Sequence, residues 1–308
     1  MKQKHSIGHL ICILCVLVWG TTFIASKTLL HDFLPAELLF FRSTLAVIAL
    51  TCISPKRLKS TTFRQELMLA GAGLFGVTLY FLLENIALTY TQASNASVIV
   101  SIAPILTAFL SFIFLKQEKP SLRFFLGFLS AITGIIAISF SGATQLSLSP
   151  KGDILALGAA LSWAAYSVLV KKISAWELPI ILVTRRIFTY GIFFMIPFMF
   201  KTDFSFNIQR FTNPVYLFNI LFLGVGASAA CFVGWNYSIT ILGPLRSSVY
   251  IYLVPVIAVI ASVLILDETV TLFGMIGTIL ALLGLLISGS KSKSKALDIT
   301  SKQDTKKL

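Results

Sequence analysis

The chain has 308 residues, of which 56% are apolar and only 12% charged, with a mean hydropathy of +0.89 and a formal net charge of +13. A soluble domain usually carries about 25% charged residues, so this composition excludes an ordinary soluble fold. The excess cations sit in short patches between long apolar runs, which is a pattern of membrane topology and not of a nucleic-acid-binding surface.

A bilayer-spanning helix needs about 20 mainly apolar residues, and ten such segments follow one another. They cover 7–27, 34–53, 66–90, 93–115, 122–140, 152–173, 178–200, 215–239, 245–266 and 272–290. The first opens as "MKQKHSIGHLICILCVLVWG", a basic start and an apolar run like a secretory signal. That run is long, holds Trp19, and no A-x-A-like site follows it, so it reads as a retained span. Cys12 and Cys15 form a C-x-x-C inside it, and Cys52 and Cys231 also fall within spans. Small polarizable side chains packing on helix faces account for all four. His5, His9 and His31 lie near helix ends without ligand spacing, so neither a metal nor a cofactor is expected. The connections are short, and 291–308 is a Lys/Ser-rich tail expected to be disordered and cytoplasmic.

Lysine and arginine fix the orientation. With the first span starting inside, the inner side collects 18 of the 25 cations, the outer side holds Lys27, Lys151, Lys201 and Arg210, and Arg42, Arg185 and Arg186 fall within spans. This asymmetry places both termini in the cytoplasm and requires an even number of spans.

The ten spans repeat. A shift of 144 residues lays "WGTTFIASK" (19–27) over "WAAYSVLVK" (163–171), and then Pro35 over Pro179 and Arg42 over Arg186. A shift of 151 lays 84–104 over 235–255, with Asn85 over Asn236 and Pro104 over Pro255. After one deletion Glu118, Gly127 and Gly134 meet Glu268, Gly277 and Gly284. Five spans per half make the halves, 7–140 and 152–290, opposite in topology. Inverted repeats of this kind recur in secondary transporters, where two halves exchange conformations to give alternating access. The expected fold is therefore an all-α integral membrane protein of ten helices in two inverted five-helix repeats.

Three stretches carry a resemblance to a known family: "VWGTTFIASK", "FFRSTLA", and "ALTYTQASNASVIVSIAPILTAFLSFIFLKQE" with its repeat mate "SITILGPLRSSVYIYLVPVIAVIASVLILDE". In these the chain resembles the EamA-type members of the drug/metabolite transporter superfamily over about 7–290. The resemblance implies a ten-helix bundle with a central substrate cavity, usually exporting amino acids, nucleotide precursors or other metabolites from bacterial cells. It assigns no role to the paired arginines 185–186.

Several residues within spans are candidates for function. Arg42 lies about 10 Å below the outer surface at ~1.5 Å per residue, where a cation costs about 2.5–3.5 kcal/mol on insertion scales. Glu84 lies at matching depth. Arg42 therefore pairs with Glu84, recognises a substrate carboxylate or phosphate with its guanidinium fork, or snorkels outward. Glu84 is the candidate coupling residue, as the alternative to that ion pair. The second half has Trp235 where the first has Glu84, so Arg186 lacks the cognate carboxylate. Arg185 and Arg186 are accordingly the favoured anion-binding candidates, with snorkelling as the alternative.

Asn85 and Asn236 either bond across helices or line the cavity. Trp163 and Tyr166, at i and i+3 on one helix face, and Tyr80 are candidates for an aromatic cavity wall or for core packing. Pro104 and Pro255 are matched helix breakers and candidate hinges, and Gly71, Gly73, Gly76, Gly127, Gly134, Gly277 and Gly284 permit close helix approach. Glu118 and Glu268 complement helix N-termini.

The expected function is a secondary active transporter, an exporter of a small polar metabolite. No P-loop to power a primary pump is present, and no His or Asp lies deep in a span to serve an intramembrane enzyme. A channel-like, structural or receptor membrane protein is the alternative. The expected partners are a small-molecule substrate and the lipid bilayer of the cytoplasmic membrane, without nucleic acid. A monomer is the expected state and a homodimer the alternative.

Overall fold

The computed structural model describes residues 2–58, 61–91, 93–116, 120–141, 149–257 and 272–289. Every regular element among them is helical. The first half holds α1 (Lys2–Leu29), α2 (Pro35–Ile53), α3 (Phe63–Tyr90), α4 (Ala93–Val100), α5 (Ala103–Leu115) and α6 (Leu122–Ser141). The second holds α7 (Pro150–Ser174), α8 (Ile180–Lys201), α9 (Pro214–Leu242), α10 (Pro244–Ile257) and α11 (Leu272–Gly289). Six of these, α1, α2, α3, α7, α8 and α9, are long and apolar enough to cross a membrane. Shorter apolar helices stand at predicted spans four, five, nine and ten, and the count of ten rests on them. The chain is an all-α, multi-pass membrane protein. The tail 291–308, Glu118 and Glu268 lie outside the described residues.

The helices start where the sequence supplies caps. Thr62 and Gln65 form a reciprocal capping box at α3, while Ser149 and Asn213 cap α7 and α9. Span four is two helices and not one. A turn at Ser101 and Ile102 separates α4 from α5, and Pro104 stands in the first turn of α5, where its missing N–H costs nothing. In α10 the helix tightens to a 3₁₀ turn over Val249–Tyr252 just ahead of Pro255. Both proline positions thus interrupt regular α-helix. The α9–α10 reversal turns on Gly243 at φ +86°, a backbone region that disfavours any side chain.

Packing follows the sequence repeat. α1 lies on the C-terminal half of α9, α7 on the C-terminal half of α3, and α2 on α8. Lys27 and Lys171, superposed by the 144-residue shift, do the same job. Their Nζ groups donate to the carbonyls of Thr91 (3.2 Å) and Thr240 (3.0 Å), a cation at each partner helix's C-terminal end. α3 and α9 each contain a π-helical segment, Leu74–Leu79 and Phe222–Ala230, which overlap at the 151-residue shift. The glycines of α6 and α11 are packed against one another: a Cβ on Gly134 would stand 2.5 Å from the Gly277 carbonyl, and one on Gly284 2.5 Å from the Gly127 carbonyl. Backbones this close require glycine.

The end of the bundle where α2 begins is tied by a partly buried ion pair. Glu37 accepts from Arg210 Nη1 at 2.8 Å, from the Leu34 N–H at 2.9 Å and from the Ser205 N–H at 2.7 Å. Arg210 also donates to the Asp32 and Ser205 carbonyls and lies 4.1 Å over the Phe33 ring. The α1–α2 and α8–α9 connections are thereby fastened to each other.

Candidate functional site

A cavity of about 40 Å³ lies between α1, α2, α3, α4, α7, α9 and α10. At ~10–15 Å³ for each water that volume holds roughly three, which is less than a metabolite requires. Arg42 and Glu84 both face it. Of the three readings for Arg42, the direct pair with Glu84 is not formed, because no ion pair within 4 Å joins them.

Arg42, only 3% exposed, is held from behind. Its Nε donates to Ser228 Oγ at 3.1 Å, from the π segment of α9, and its guanidinium lies 3.8 Å over the Phe81 ring. The other guanidinium N–H groups have no hydrogen-bond acceptor among the described residues. Glu84 is 6% exposed, is hydrogen-bonded by the Tyr80 hydroxyl one turn earlier on α3, and makes no ion pair within 4 Å among the described residues. Two opposite charges thus face one cavity without forming a direct ion pair, and Arg42 keeps N–H groups that no described residue accepts from.

Aromatic rings close the rest of the wall. Tyr80 and Trp163 lie 5.0 Å apart, and Trp19 meets Trp163 edge-on at 5.2 Å. The repeat mates Trp19 and Trp163 differ in one respect. Trp19 Nε1 donates to the Ala227 carbonyl at 3.1 Å, whereas Trp163 Nε1 is buried without an acceptor. Trp163 and Tyr80 line the cavity as expected from the sequence.

Tyr166, Asn85 and Asn236 do not line it. Tyr166 donates to Asn236 Oδ1 at 2.6 Å, and Asn236 Nδ2 donates to Thr184 Oγ1 at 3.0 Å. These bonds tie α7, α9 and α8 together. Asn85 Nδ2 reaches the Pro35 carbonyl at 3.4 Å, and its Oδ1 is buried without a partner. Of the two readings for this amide pair, bonding across helices is the one formed.

Arg185 and Arg186 depart furthest from expectation. They stand at the opposite end of the bundle from Glu37 and do not reach the cavity. Arg185 donates to the carbonyls of Ser54 (2.6 Å) and Lys56, and Arg186 to that of Leu58 (3.3 Å). Nor is Arg186 without a carboxylate: Glu66, from the first turn of α3, lies 3.6 Å away and also accepts from Tyr190. Counting acids only within the second half overlooked a partner supplied by the first.

Thr22, Ser97, Ser101 and Phe232 also line the cavity, and Ser228 positions Arg42. Ser97 and Ser101, at i and i+4 just before Pro104, left a faint signal in the sequence; Ser228, inside a run of small residues, left none. Among the described residues no group of three His, Cys, Asp or Glu is placed to hold a metal.

Compared with known proteins, the chain matches the EamA-like transporter family over residues 6–140 and 150–290. An uncharacterized transporter of Archaeoglobus fulgidus is 29% identical over 291 residues, covering 93% of this chain and 99% of the relative. The uncharacterized transporter YvbV of Bacillus subtilis is 30% identical over 288 residues, covering 91% and 90%. A probable terminal-alkyne amino-acid exporter of Streptantibioticus cattleyicolor is 26% identical over 289 residues, covering 93% and 94%. A solved crystal structure superposes with a TM-score of 0.72 at 18% identity, over 92% of this chain and 97% of that one.

Proposed function

This chain belongs to the EamA-like transporter family, and from that premise we propose that it is a secondary active transporter, an exporter of a small zwitterionic metabolite such as an amino acid. The observation that carries this reading is the pair of buried, opposite charges that face one cavity without bonding directly to each other. Arg42 takes the carboxylate with its free N–H groups, Glu84 takes the ammonium, and the Trp163 and Tyr80 rings flank the side chain. Glu84 is then a substrate ligand first, and any part in proton coupling acts through the same cavity.

The cavity's small volume means that loading a metabolite requires the helices to part. Two clusters joining the halves at opposite ends of the bundle support alternating access: Glu37–Arg210 at 2.8 Å and Glu66–Arg186 at 3.6 Å. Together with the sequence repeat they fit two inverted five-helix units, 7–140 and 152–290, rocking about the cavity. The cation asymmetry puts both termini in the cytoplasm and the protein in the cytoplasmic membrane, and a monomer suffices for this mechanism.

Proteoliposomes loaded with a pooled metabolite extract, read by mass spectrometry with and without an imposed pH gradient, test the proposal. Saturable, counter-gradient movement of a zwitterion supports it. Non-saturable flux that only follows the gradient would make the protein channel-like and sink it.

A further inference from the structure

At the end of the bundle opposite Glu37, Arg57, Arg185 and Arg186 line one pocket of about 390 Å³, with Leu58, Leu182 and Thr189. The charge in this pocket is unbalanced. Among the described residues Glu66 is the carboxylate that approaches it, at 3.6 Å from Arg186, beyond hydrogen-bonding distance, and the two side chains are 36% and 23% exposed, so the pair is weak. Arg185, bonded to the carbonyls of Ser54 and Lys56, pins the α2–α3 connection and so fixes the pocket's wall.

Leu182 also lines a second space, an open groove of about 520 Å³ between α1, α8 and α9. Ile7, Ile11, Ile181, Val233 and Gly234 give it an almost wholly apolar surface. Ser54, whose carbonyl holds Arg185, stands at its rim. The cationic pocket and the apolar groove thus meet at Leu182 on the flank of a membrane-embedded bundle, at the end that carries Lys4, Lys56, Arg57 and Arg246.

We propose that this is a binding site for an anionic phospholipid, its phosphate in the arginine pocket and an acyl chain along the groove. Guanidinium groups bind phosphate through paired charge-assisted N–H bonds, and basic pockets between helices at the cytoplasmic side suit anionic headgroups. The site is separate from the transport cavity and does not depend on what the cavity carries. It gives Arg185 and Arg186 an anion after all, a component of the membrane instead of the cargo.

The test uses the full chain in detergent, with dioleoyl-phosphatidylglycerol, dioleoyl-phosphatidylcholine or inorganic phosphate added separately. Retained lipid is read by native mass spectrometry and thermal stability by fluorescence. Wild type is expected to retain phosphatidylglycerol and gain stability from it, with little effect of phosphatidylcholine. Arg57→Gln, an exposed position that does not endanger folding, and Arg57→Gln/Arg186→Gln are expected to weaken retention by about tenfold or more. Arg246→Gln, an exposed cation at the same end, is expected to retain the lipid as wild type does.

Equal retention of the two lipids overturns the proposal. So does a loss in Arg246→Gln as large as in Arg57→Gln, which would reduce the site to a general basic surface. Protection by inorganic phosphate equal to that by phosphatidylglycerol would make it a phosphate site without a lipid.

Discussion

Replacing Arg42 by methionine separates a transport role from an architectural one. In the folded protein Arg42 gains about 2 kcal/mol from the Phe81 face and about 1.5 kcal/mol from its bond to Ser228. Burying the cation in a span costs about 2.5–3.5 kcal/mol. These contributions cancel to within about 1 kcal/mol, and methionine fills similar space with an adaptable chain. We therefore predict that Arg42→Met inserts and folds with a melting temperature close to wild type. Transport is a different matter, since a charge-assisted bond to a substrate carboxylate is worth about 1.5–3 kcal/mol, or about 10–150-fold in apparent affinity. Counterflow in proteoliposomes, with the solute that wild type accumulates, measures that loss. Arg42→Lys keeps the charge without the fork and should fall between the two. A folded Arg42→Met that transports like wild type would refute substrate recognition by this residue, and one that fails to fold would make it architectural.

Glu37→Ala leaves Arg210 without its carboxylate and should cost about 1–3 kcal/mol; the Glu37→Ala/Arg210→Ala double variant should recover much of that in detergent melts, and a double variant no better than the single one argues against a coupled pair. Gly134→Val forces a side chain onto the Gly277 carbonyl and should destabilise the α6–α11 contact by about 1–3 kcal/mol, so an unchanged melting temperature would contradict the close approach. Asn236→Leu strands both Tyr166 and Thr184 and should cost about 1–3 kcal/mol. Asn85→Leu, whose Oδ1 has no partner, should cost less, and the reverse order in thermal unfolding would count against the bonding described.

Much of the fold was legible because a bilayer enforces a simple code. Apolar runs of fixed length, cations on one side and a repeat of rare residues each follow from the cost of exposing polar groups to hydrocarbon. The lysines at 27 and 171 and the glycines of α6 and α11 could be matched in sequence before their contacts were seen. The site was only half legible. Arg42, Glu84, Tyr80 and Trp163 stood out as polar or aromatic groups within spans, and all four meet at the cavity. Arg185 and Arg186 stood out by the same rule and were placed wrongly. Depth along one helix says nothing about which neighbouring loop, here Ser54–Leu58, comes within reach of a long side chain.

The sequence by itself determined that this chain lies in a membrane, that it is built twice over, and that a few charges are held where charge is expensive. Tertiary structure alone decided which of those charges are satisfied. Arg186 finds Glu66 and Arg185 finds carbonyls, both from the first half, while Arg42 is braced by Ser228 from the second half and Glu84, held by Tyr80, lines the cavity. The physical reason is that span position is a property of one helix in lipid, whereas hydrogen-bond satisfaction is a property of the neighbours that packing brings to it.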